Sequence, residues 1–192
     1  MSRHPAIHVA SGTFRGRRLH YPKPGILRPT MQRTREAVFD SLGTGLVGAG
    51  FVDLFSGAGA MGIEALSRGA AFARFVENAP EVLDCLEENL RMLGLGPPRS
   101  LVHRGEAAAF IAAGGLDEPG VSVVFADPPY DDDVESMLAL VDAKSYPRVR
   151  YLIVEHRAER VGAGLRYWHS ERSRRYGATR VTYFTPIEGG AP

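Results

Sequence analysis

Cysteine is nearly absent from this chain of 192 residues: Cys85 is the only one. A lone thiol excludes an internal disulfide and any metal site built from several cysteines. Its setting, Val82-Leu83-Asp84-Cys85-Leu86, reads as the buried side of a helix. His103, His156 and His169 have no His or Cys partner at ligand spacing, so no metal site is expected. Only Glu155-His156, at the end of an apolar run, is kept as a candidate pocket contributor. Long apolar stretches are missing too: none approaches the roughly 20 residues of a membrane span. The opening Met1-Ser2-Arg3-His4-Pro5 lacks the apolar core of a signal peptide. There is no internal repeat and no low-complexity segment. These absences point to a cytoplasmic protein without membrane contact. The length suits one domain with a small appendage, and 44% hydrophobic residues can fill its core.

Net charge is also low, at +1, but it is unevenly spread. Residues 1–36 hold Arg3, Arg15, Arg17, Arg18, Lys23, Arg28, Arg33 and Arg35 against Glu36, a net +7 that leaves −6 for the remainder. Such asymmetry suggests that the N-terminal piece meets a polyanion, and nucleic acid is the leading candidate. The glycines and prolines between the charges favour shaped turns over a loose tail.

After residue 50 the pattern alternates strand and helix. Strands are expected at 51–55, 72–77, 100–103, 121–126 and 149–155, and helices at 60–68, 80–93, 106–113 and 134–141. That alternation implies βαβ units and a mostly parallel sheet. Two further strands, 165–168 and 179–184, are expected to pair as an antiparallel edge hairpin across the polar segment 172–177. Before residue 51, stretches 7–10 and 17–21 flank a glycine-rich turn and suggest a small N-terminal β-hairpin, with a helix at 33–42 leading into the main domain. The division expected is a basic hairpin extension over 1–32 and an α/β domain over 33–192.

What the chain does have is Asp127-Pro128-Pro129-Tyr130 at the end of the apolar run 121–126. The Asp carboxylate accepts hydrogen bonds from N–H groups. The prolines lack N–H groups and stiffen the backbone, so nearby carbonyls stay aimed as acceptors, while Tyr130 offers a stacking face. The group suits a flat, amine-bearing ligand. Upstream, Asp53-Leu54-Phe55-Ser56-Gly57-Ala58-Gly59-Ala60-Met61-Gly62 lies between the first strand and its helix. The glycines permit close approach of a ligand to backbone N–H groups at a helix N-terminus. Dinucleotide enzymes use a similar loop. Here Asp53 favours a cationic or amine-bearing ligand, Phe55 and Ser56 crowd the turn, and Asp-Pro-Pro-Tyr has no role in hydride transfer. Glu77, about 20 residues on, can accept both hydroxyls of a ribose. Gly105 and Glu106, after the third strand, can meet an adenine edge.

These motifs resemble class I S-adenosylmethionine-dependent amino-methyltransferases. The N-terminal half sharpens the likeness. Ser11-Gly12-x-x-Arg15-Gly16-Arg17-x-Leu19, Leu27-Arg28-Pro29-Thr30-x-x-Arg33-x-Arg35-Glu36-Ala37-x-Phe39 and the run 54–70 are similar to bacterial 16S ribosomal RNA guanine-N2 methyltransferases of the small subunit. Ala58 and Glu106 depart from the family's usual small hydroxyl residue and aspartate. The resemblance implies a Rossmann-like fold with a seven-stranded, mostly parallel sheet. It also implies S-adenosylmethionine as donor, S-adenosylhomocysteine as product, no metal, and a monomer acting on 16S rRNA or the small ribosomal subunit. Asp127, Pro128, Pro129 and Tyr130 would be catalytic. Asp53, Phe55, Ser56, Gly57, Gly59, Glu77, Asn78, Gly105 and Glu106 would hold the donor. Arg15, Arg17, Arg28, Arg33 and Arg35 would contact RNA, with Arg172, Arg174, Arg175 and Tyr176 as a second basic-aromatic patch. Phe39 is a candidate to close over the cofactor or to join the core. Adenine N6, a protein glutamine amide, a non-catalytic RNA-binding module and a dehydrogenase stay open as alternatives.

Overall fold

The computed structural model describes residues 7–22, 32–129 and 134–187. Its centre is a seven-stranded sheet built from β3 (Gly50–Asp53), β4 (Phe72–Glu77), β5 (Ser100–Arg104), β6 (Val121–Ala126), β7 (Tyr151–His156), β8 (Trp168–Tyr176) and β9 (Thr179–Pro186), in the order β5-β4-β3-β6-β7-β9-β8. The first five of these are parallel, and β9 pairs antiparallel with both β7 and β8. The helices between the parallel strands are α2 (Ala60–Ser67), α3 (Pro80–Met92), α4 (Ala107–Ala112) and α5 (Val134–Val141). The sequence-predicted elements up to β7 match these to within a few residues. The periodicity is legible because the central strands β3, β4, β6 and β7 are buried on both faces, and helices such as α3 and α5 carry one apolar stripe. In α3, for example, Val82, Leu83, Leu86 and Leu90 are buried, Pro80 occupies the first turn, and Glu81 and Arg91 complement the helix dipole.

The edge hairpin departs from the expectation. The antiparallel pairing is as expected, but β8 begins at Trp168 instead of ending there, and it takes in 172–176 of the polar segment that was assigned to the connection. An edge strand needs little apolar surface, and here the guanidinium of Arg172 lies over the Tyr183 ring at 4.1 Å. Charged side chains thus hide a strand from a hydrophobic pattern.

The two faces of the sheet carry separate cores. Phe51, Phe75, Val123, Phe125, Ile153, Val181 and Tyr183 join a cluster with α1 (Gln32–Leu42) and α2, while Val52, Val76, Val124, Val154 and Phe184 join α4 and α5. Phe39 of α1 is buried against Phe51 at 5.8 Å between ring centres, so it is core and not a lid.

The N-terminal hairpin is β1 (Ile7–His8) paired with β2 (Arg18–Leu19). It is fastened to the main sheet's helices. Ile7, Val9 and Leu19 share the α1/α2 core. Glu64, fully buried on α2, accepts the N–H groups of Ala10 and Ser11 at 2.8 and 3.0 Å. Thr13 N–H bonds the Ser67 carbonyl at 2.8 Å, and Phe14 N–H bonds the Ser67 hydroxyl at 2.9 Å. Gly12 makes this approach possible: its φ is +78°, and a Cβ there would fall 1.8 Å from the Ser67 carbonyl oxygen. Further along, Asn89 of α3 bonds both the N–H and the carbonyl of His20, at 2.7 and 2.9 Å. Among the described residues no helix is long and apolar enough to cross a membrane.

Candidate active site

β3 has β4 on one side and β6 on the other, so the crossovers leave it in opposite directions. In open α/β sheets that switch opens a crevice at the carboxyl ends of the strands. The strand register decides what lines it. Asp53 stands beside Phe75 and Phe125, and Phe125 beside Ile153. Side chains alternate along a strand and match across it. Glu77, Asp53, Asp127 and Glu155 therefore all end on the α1/α2 face of four neighbouring strands. A row of four carboxylates crosses the carboxyl edge of the sheet.

Each acid is held differently. Asp53 is 1% exposed; one carboxylate oxygen accepts Gly62 N–H at 3.2 Å, and the other has no partner among the described residues. Burial, with the charges of Asp127 and Glu77, pushes its pKa up to about 8. Glu77 bridges two loops: it accepts Gly57 N–H at 2.8 Å and the N–H groups of Asn78 and Ala79 at 2.9 Å each. Oε1 is filled by the Asn78 and Ala79 N–H groups, while Oε2, bonded only to Gly57 N–H, keeps a free lone pair. Asn78 donates its side-chain amide to Glu106 at 2.7 Å, and Gly105 N–H bonds the Glu77 carbonyl at 2.9 Å. The predicted residues Gly57, Glu77, Asn78, Gly105 and Glu106 are thus one connected rim. Glu106 does not cap α4 through its side chain. Ser56 is turned inward, its hydroxyl donating to the Asp53 carbonyl at 2.9 Å, and Phe55 packs on the α4/α5 core. Gly59 has φ +88° and would drive a Cβ to 2.5 Å from Leu86, so it fixes the turn against α3.

Asp127 is half-buried, Pro128 buried and Pro129 exposed; Tyr130 lies outside the described residues. The Asp127 charge helps raise the pKa values of Asp53, Glu155 and Tyr21, which puts all four groups in one neighbourhood. Burial is the larger cause for each. Tyr21 follows the His20 clamp at the end of the N-terminal hairpin, and burial and Asp127 push its phenol well above the ordinary value. Such a row, with an unbonded buried oxygen on Asp53, fits a ligand that brings positive charge or N–H groups. Among the described residues no group of three or more His, Cys, Asp or Glu is arranged to hold a metal ion.

Comparison with known proteins gives the family and the fold. The family model described as "Conserved hypothetical protein 95" matches residues 7–185. The chain belongs to this family. A Bacillus subtilis relative named for rRNA methylation, YlbH, is 32% identical over 80% of this chain and 84% of its own length. Ribosomal RNA small subunit methyltransferase D of Escherichia coli K12 is 40% identical over 65% of this chain and 60% of its own length, so that match leaves two-fifths of the relative uncovered. Among solved structures, the Escherichia coli methyltransferase yhhF has a TM-score of 0.75 at 31% identity, covering 95% of this chain and 98% of that one. An RNA methyltransferase from Salinibacter ruber in complex with S-adenosyl-L-homocysteine has a TM-score of 0.60 at 15% identity, covering 86% and 97%; that likeness is one of fold.

As a member of the Conserved hypothetical protein 95 family, the chain has its RNA candidates spread over the hairpin and α1. Arg15 and Arg33 are exposed. Arg17 is exposed too but donates to the Met92 carbonyl at the end of α3, at 3.0 Å. Arg28 lies outside the described residues. Arg35 corrects the expectation of a phosphate contact. It is 1% exposed, donates to the His8 carbonyl at 2.7 Å and sits 3.6 Å from Glu64. Burial pulls its pKa below the usual value. It is an internal strut between hairpin and α2, because a guanidinium enclosed beside a buried carboxylate is not offered to solvent. Of the dipeptide Glu155-His156, only Glu155 joins the acid row; His156 faces the other side, 2.7 Å from Thr182. Sequence reasoning missed Tyr21 and Glu64. No local pattern marks either one, since both acquire their roles from the hairpin folding back.

Proposed function

We propose that the protein transfers a methyl group from S-adenosylmethionine to the exocyclic N2 of a guanine in 16S rRNA, in the small ribosomal subunit or its precursor. One observation carries the reading: Asp127, ahead of two prolines, stands one strand from Asp53 and the glycine turn, close enough for its charge to raise the pKa of Asp53. The relatives' names supply the substrate class, rRNA.

Bound S-adenosylmethionine would supply a methyl carbon already activated by its sulfonium charge. The residues fit it: Asp53 and the acid row favour a cation, Glu77 Oε2 retains a lone pair for a ribose hydroxyl, and Gly57, Gly59, Asn78, Gly105 and Glu106 form the remaining rim, with Phe55 and Ser56 shaping the turn. The protein's own task is alignment. An exocyclic guanine amine is a poor nucleophile because its lone pair is delocalised into the ring. Asp127 and the Pro128 carbonyl accept its two N–H bonds, draw the nitrogen toward tetrahedral geometry and stabilise the positive charge that develops there. Pro129 keeps that carbonyl aimed, and Tyr130 stacks on a base extruded from its RNA. Arg15, Arg17, Arg28 and Arg33 grip phosphates beside the cleft. Asp127→Ala is expected to lower kcat at least 100-fold while donor affinity, measured by calorimetry, stays within a few fold. Methylation by the variant at near wild-type rate would remove Asp127 from the mechanism.

A further inference from the structure

Glu155 is the member of the acid row that the alignment task leaves unused. β6 and β7 run parallel with Phe125 beside Ile153 and Ala126 beside Val154. The next step along both strands sets Asp127 beside Glu155, on strands about 4.8 Å apart. Glu155 is 6% exposed, and one of its carboxylate oxygens has no partner among the described residues. The other surroundings of its face are few. Thr179 at the start of β9 lies near it, its hydroxyl donating to the Tyr176 carbonyl at 3.2 Å. Val181 is its partner across β9, and beyond Val181 lies Arg174 on β8, with Tyr176 beside Thr179. From the N-terminal side, Tyr21 stands near Asp127, and Arg35 stands near Tyr21. His156 and Arg180 belong to the opposite face.

We infer that Glu155 is the proton-holding partner of Asp127: it takes up, through Asp127, the proton that the amine sheds on methylation. The inference rests on the amine-methylation reading given above. The nitrogen lone pair forms the new N–C bond while the donor's C–S bond breaks, its electron pair staying on sulfur as a neutral thioether. The nitrogen, now cationic, gives one proton to Asp127, which passes it to the Glu155 carboxylate; the resulting acid releases it to water before the next turnover. Two carboxylates this close do not both hold full charge easily, so the more buried one binds the proton more tightly. Burial and the Asp127 charge put the Glu155 pKa at about 7, where a group can accept a proton at neutral pH and lose it again.

Two measurements test this on the full-length protein. Difference infrared spectroscopy of the ligand-free protein, wild type minus E155Q, is expected to show a protonated-carboxyl band that titrates near pH 7. Single-turnover methylation of small subunits at saturating donor is expected to rise with pH through the same region for wild type. E155Q should lose that ascending limb and fall roughly 10–100-fold at pH 8, a loss that persists at saturating donor. E155D should keep a limb, displaced in pH, which a purely structural role would not produce. Absence of the infrared band, or an unaltered limb and rate in E155Q, would overturn the inference. The infrared arm uses no substrate, so a present band with wild-type protein inert on RNA would instead strike the functional reading alone.

Discussion

Asp53 shows how burial changes a single carboxylate. Its pKa, raised from 3.8 to about 8 by burial, means that the folded protein binds a proton there more tightly than the unfolded chain does. The stabilisation this gives is fully present below about pH 4 and is lost as pH rises toward 8. Glu155, raised to about 7, adds in the same direction. Thermal unfolding of the ligand-free protein should therefore show a Tm that falls between pH 5 and 8. Asp53→Asn, which can still accept Gly62 N–H, should flatten that fall by an amount on the order of a few kcal/mol. An equal slope in wild type and variant would mean that Asp53 is ionised in the folded protein. The sequence shows Asp53 and Asp127 readily, because each ends an apolar strand. It does not show that they share a face with Glu77 and Glu155; that follows only from the register of four strands.

At the scale of elements, the parallel core was legible in detail, and the N-terminal hairpin and the antiparallel edge were legible in outline but not in their bounds or seats. Buried strands and striped helices carry their own periodicity. β8 does not, because its Arg172 packs against Tyr183 as an apolar residue would. The hairpin's turn was readable from its glycines, but its seat on Glu64, Ser67 and Asn89 depends on residues about 50–70 positions away. That seat turns Arg35 from a surface cation into a buried strut, and leaves Arg15 and Arg33 as outward charges. The double variant Arg15→Gln/Arg33→Gln should weaken RNA binding. It should also flatten the plot of log affinity against log salt by roughly 1.4–1.8, two phosphate contacts' worth. Identical slopes for variant and wild type would take both arginines out of the interface.

The whole molecule combines a net +7 N-terminal segment with a −6 remainder, and the proposed function gives that division a use. The basic hairpin lies on α2 and α3, and its chain ends at Tyr21 beside Asp127, so a polyanion held there would be delivered to the acid row. The acids in turn favour a cationic donor. The reading joins these two halves in one reaction, and its product is the direct test. Wild-type protein, incubated with methyl-labelled S-adenosylmethionine and, separately, small ribosomal subunits lacking the modification, free 16S rRNA and DNA, should leave label as N2-methylguanosine in the rRNA. Label on adenine N6, on DNA or on ribosomal protein, with none on guanine N2, would contradict the account.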